Sequence, residues 1–222
     1  MTRKSLEWRV PYNENFRYNA HKLIAIGYQK ALPKIKSSVK RDETHTTGFI
    51  AEAISGWLDR EEPDGFDGYG VLDDPPEKSY DGARAGRGRR RSDLVVTYNN
   101  SPRNRFVCEA KRLKGGKGAE YIGDDGMGCF ISGDYARPYL EVAMLGYVET
   151  KSVAEWKGIL WQHIDEKSTE LELSSPQQEV SIISELADEW QSNHQRKIVG
   201  VPVKIFHILL DCTHLDEQPK ES

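Results

Sequence analysis

Two acidic residues and a lysine stand at positions where they could do metal-assisted chemistry. Asp93 opens the apolar run Leu94-Val95-Val96-Thr97-Tyr98, and Glu109-Ala110-Lys111 closes the run Arg105-Phe106-Val107-Cys108. Side chains alternate along a strand, so Glu109 and Lys111 share one face and Ala110 takes the other. The turn-rich Asn99-Asn100-Ser101-Pro102-Arg103-Asn104 between the runs reads as a hairpin loop. If the hairpin pairs Val95 with Val107, Asp93 falls opposite Glu109, whereas a slip of one residue sends it to the far face. Paired carboxylates suit Mg²⁺, a hard cation that keeps several waters. A lysine beside them can position water for attack on a phosphodiester.

The elements that must hold these residues follow from periodicity. A helix is expected from about Asn13 to Leu32, closed by Pro33. A second follows from Phe49, Ile50, Ala53, Ile54, Trp57 and Leu58, with Thr46 or Thr47 as its cap. The Asp-, Gly- and Pro-rich stretch 59–88 reads as loop, with one short strand near Tyr69–Leu72. Beyond the hairpin and a glycine-rich passage, helices are expected over 135–148, 153–164 and 176–194, the last capped by Ser174 or Ser175. A buried strand from Ile198 to Leu210, interrupted at Pro202, closes a mixed α/β domain.

Ser92-Asp93-Leu94-Val95-Val96, fifteen intervening positions after Asp93 and then Glu109-Ala110-Lys111 together resemble the core of the PD-(D/E)xK, restriction-endonuclease-like nucleases. Ser92 stands where the family's name has proline. The resemblance implies an αβββαβ core with a mixed central sheet flanked by helices. It also implies a Mg²⁺-dependent phosphodiesterase site, for which Mn²⁺ can substitute, and a nucleic-acid substrate, with DNA expected. Asp93 and Glu109 would hold the metal, Lys111 would orient the water, and Glu52, on the helix before the sheet, would support the metal. The stretch from Tyr121 through Phe130 to Ala136 also resembles a segment beside EAK motifs in bacterial defence-associated nucleases, which implies anti-phage defence or restriction. The alternative is a catalytically silent nucleic-acid-binding or scaffold subunit, in which Glu109 and Lys111 are a structural charge pair.

Composition bounds the partners. The 222 residues carry a net charge of −4, but in blocks: 1–41 and 82–117 are basic, and 42–81 and 118–222 are acidic. Arg84, Arg87, Arg89, Arg90 and Arg91 lead into Asp93, and Lys114 and Lys117 follow Lys111. These seven are the expected phosphate contacts, and the bland alternative is an arginine run paired with the acidic loop before it. No run of about 20 apolar residues suggests a membrane span. Three cysteines without C-x-x-C spacing fit a reducing cytoplasm. One domain is expected over 1–222, with a helical extension (1–45), a core (46–212) and a polar tail (213–222). A homodimer or a defence-complex partner is the expected assembly. His207, Asp211, Cys212 and His214 lack a second ligand pair at zinc spacing, so His207 reads as a core histidine.

Overall fold

A computed structural model of the chain describes residues 14–38, 42–76, 91–116, 118–134 and 136–213. Its first helix, α1 (Glu14–Ser37), runs through Pro33 where the sequence suggested a stop. Proline removes one intrahelical hydrogen bond, but Ala31 and Ile35 on either side of it are buried, and that burial carries the last turn onward. Helix α2 (Glu43–Glu61) starts earlier than its apolar stripe suggested. Asp42 is the cap, accepting the His45 N–H at 2.9 Å. Thr46 and Thr47 are instead buried inside the first turns, Thr47 against the Tyr147 hydroxyl at 2.7 Å.

Three antiparallel strands follow: β1 (Tyr69–Asp73), β2 (Leu94–Tyr98) and β3 (Arg105–Leu113). Asn99 and Asn100 both take positive φ at the β2–β3 turn, a conformation asparagine tolerates better than most residues. Helices α3 (Gly118–Ile122) and α4 (Met127–Ser132) then cross to β4 (Glu141–Val148), which lies parallel to β3. Helix α5 (Val153–Glu166) carries a Ser152–Glu155 capping box and matches the expected 153–164 helix. Three further strands follow, β5 (Leu173–Glu179), β6 (Trp190–His194) and β7 (Val203–Asp211).

Two expected helices are therefore strands. β4 is buried at all eight positions, so its sequence has no period of two to betray it, and covered on both faces it reads like a buried helix. The 176–194 segment is an edge strand, an irregular connection and a second strand. Ile183 and Leu186 do bury, but from that connection rather than from a helix face. Pro176 sits in β5, which pairs only with β6 and so tolerates a missing N–H on its free side.

The strands form one mixed sheet in the order β1-β2-β3-β4-β7-β6-β5. Leu94, Val96, Phe106, Cys108, Ala143 and Phe206 pack one face of it against α1 and α2. Val95, Val107, Val142, Met144 and Ile205 pack the other against α3, α4 and α5. The result is a three-layer α/β arrangement with the sheet buried on both sides. No described helix is long and apolar enough to cross a membrane.

Candidate active site

The β2–β3 ladder pairs Val95 with Val107 and Leu94 with Cys108, which sets Asp93 opposite Glu109. β2 begins at Leu94, so past that point one edge of β3 has no strand partner. Its backbone donors are met by side chains. The Ala110 N–H donates to Asp93 Oδ2 at 2.6 Å. Two residues on, along the same edge, the Arg112 N–H donates to Glu43 Oε2 at 3.0 Å. Glu43 is the first residue of α2, so the start of that helix and the start of β2 both place a carboxylate on the open edge of β3. Lys111 Nζ donates to Glu109 Oε1 at 2.8 Å and stands 3.6 Å from Glu43 Oε1.

Three carboxylates and one ammonium thus share a largely buried corner. Glu109 and Lys111 are 7% and 9% exposed. Burial raises the Asp93 carboxyl above its ordinary range, the Ala110 N–H and Lys111 oppose that rise, and the Glu43 charge adds to it. Asp93 and Glu109 are also in hydrogen-bonding contact. Two carboxylates this close repel each other when both are ionised, and a bound cation would relieve that repulsion. Burial works against the Lys111 ammonium, but Glu109, Glu43 and Asp93 together outweigh it and hold its pKa above the usual lysine value. Lys111 is therefore a fixed cation here rather than a base.

Among the described residues no three His, Cys, Asp or Glu side chains enclose a single point as a ready-made metal cage. The donor set instead fits a hard cation held by two carboxylates, Asp93 and Glu109, with waters and substrate oxygens completing its shell, which is how Mg²⁺ is commonly bound.

Glu52 is not brought to the cluster: it is exposed on α2 and pairs with Lys34 at 2.9 Å. Arg91 pairs through Nε with Asp74 Oδ2 at 2.6 Å, and the Asp74 N–H donates to the Asp93 carbonyl, so this pair adjoins the site. Lys114 is part-exposed, 3.8 Å from Glu149 Oε2. Arg84, Arg87, Arg89, Arg90 and Lys117 lie outside the described residues. His207 is a core residue, held between the Tyr121 hydroxyl at 3.0 Å and Ser192 Oγ at 2.8 Å. The residue that sequence reasoning missed is Glu43. Its only signal was an acid after a capping aspartate, which ordinarily reads as a complement to the helix dipole.

Comparison with known proteins returns nothing: no family model, no curated protein and no solved structure matches this chain.

Proposed function

We propose that the chain is a divalent-cation-dependent phosphodiesterase of the restriction-endonuclease-like kind, cutting nucleic acid, DNA first, in the cytoplasm. The observation that carries this reading is the contact of Asp93 with Glu109 where β2 and β3 part, with Lys111 beside it. The order α2-β1-β2-β3, then α3 and α4, then β4 parallel to β3, supports the αβββαβ core. A divalent cation held there would acidify water and offset charge on the phosphodiester oxygens. Asp93 and Glu109 hold that cation, Lys111 orients the incoming water and faces the phosphate, and Glu43 fixes Lys111 from the helix side. The arginine run before Asp93 and Lys114 supply backbone contacts. The resemblance of the Tyr121–Ala136 stretch extends the proposal to bacterial anti-phage defence or restriction.

One observation favours a second reading. Lys111 and Glu109 already neutralise each other at 2.8 Å, as they would in a catalytically silent nucleic-acid-binding or scaffold subunit. Calorimetric titration with Mg²⁺ separates the two. The nuclease binds the ion and loses that binding in Asp93→Asn, whereas the silent subunit gives no heat in either form.

A further inference from the structure

Resting on that reading, we infer that the Lys111 ammonium occupies the second cation position of a two-position site, so that the chain works with one divalent ion. The ammonium bridges carboxylates from two elements, Glu109 on β3 at 2.8 Å and Glu43 on α2 at 3.6 Å. Glu109 also lies within hydrogen-bonding reach of Asp93, which the register sets opposite it. Glu109 therefore touches both positions, as a bridging carboxylate does between two ions about 3.5–4 Å apart.

Charge decides how the positions fill. Glu43, Asp93 and Glu109 contribute three negative charges when ionised. One divalent ion between Asp93 and Glu109 plus the ammonium balances them. A second divalent ion would have to displace a largely buried and already paired ammonium, and would leave the corner over-charged. Without the ammonium, one divalent ion leaves a negative charge uncompensated on Glu43, which faces the position just vacated. Lys111 thus does for the phosphodiester what the outer ion does in a two-metal site, and it does so without needing to be bound from solution.

The test is the Mn²⁺ stoichiometry of the full chain, read by calorimetry and by electron paramagnetic resonance, without substrate. Lys111→Met keeps the aliphatic stem and its packing while removing the charge. The parent is expected to bind one Mn²⁺, Lys111→Met two, and Lys111→Met with Glu43→Gln one again. Two spin-coupled ions in Lys111→Met would place them at adjacent positions. A parent that binds two ions, or a Lys111→Met chain that still binds one, overturns the inference and leaves the nuclease reading standing. Binding of no Mn²⁺ by any of the three overturns the nuclease reading itself, and the inference with it.

Discussion

Glu43 holds two successive residues of β3, with Oε2 on the Arg112 N–H at 3.0 Å and Oε1 3.6 Å from the Lys111 ammonium. The first turn of α2 is thereby tied to the strand that carries the candidate catalytic pair. Glu52, two and a half turns along the same helix, pairs with Lys34 in solvent.

The two glutamates should therefore differ in consequence. Glu43→Gln is expected to cost about 10–100-fold in divalent-ion affinity or cleavage, as loss of a supporting group around a metal site does. Glu52→Gln removes an exposed ion pair and should change either quantity by less than about twofold. Equal effects would remove Glu43 from the site.

Asp93 should make the metal-free protein less stable than it could be. Its folded pKa is raised, chiefly by burial, so its contribution to stability is present in acid and lost as pH rises through that pKa. Asp93→Asn keeps an acceptor for the Ala110 N–H and is expected to melt higher than the parent near pH 7 in chelator. The gap should close as the pH falls below the carboxylate range. A divalent ion at about a hundredfold excess over its Kd should raise the parent's midpoint by about 5–10 °C and leave Asp93→Asn unmoved. Circular-dichroism melts across pH, with and without Mg²⁺, check both statements.

A second pH dependence lies on β7 and β6, two and three strands beyond β3 in the sheet. The Leu171 carbonyl accepts from His194 Nδ1, so neutral His194 must accept at Nε2 from Ser192, 2.7 Å away. Ser192 in turn accepts from His207 Nε2, and His207 Nδ1 accepts from Tyr121. Burial lowers the His194 pKa to about 4 and pushes His207 well below its ordinary value. Stability from His194 is therefore present above the ordinary histidine pKa and lost as pH falls towards about 4, on the order of 3 kcal/mol at full protonation. His194→Gln should flatten the slope of unfolding free energy between about pH 6.5 and 4. An unchanged slope would show that His194 does not titrate with folding.

The basic run should show itself in salt. Changing Arg89, Arg90 and Arg91 to Ala is expected to weaken binding of all duplex sequences alike and to flatten the log–log salt dependence by about 0.9 per lost phosphate contact. An unchanged slope would leave Arg91 as the partner of Asp74 alone.

The hairpin was legible because its signals are local, two apolar runs flanking a turn-rich stretch. Its register was open between two pairings of opposite consequence, and the structure pairs Val95 with Val107. β4 was not legible, because a strand covered on both faces loses its alternation, and Glu141–Val148 is buried throughout. Glu43 was hidden for another reason. Its value lies in contacts with Lys111 and Arg112, some seventy positions away, which depend on where β2 stops and how α2 docks. Glu52 was the glutamate that the resemblance singled out on this helix, and the fold places it in solvent beside Lys34.

If Asp93 and Glu109 form a metal-dependent phosphodiesterase site, hydrolysis is its immediate readout. The parent, Asp93→Asn, Glu109→Gln and Lys111→Ala chains would be incubated with linear, circular and single-stranded nucleic acid in Mg²⁺, Mn²⁺ or chelator. The parent should cut with either ion and not in chelator. Asp93→Asn and Glu109→Gln should lose cutting together with ion binding, and Lys111→Ala should lose cutting while keeping substrate binding. Cleavage that survives Asp93→Asn, or a parent that cuts none of the substrates with either ion, would rule out a phosphodiesterase site at Asp93 and Glu109.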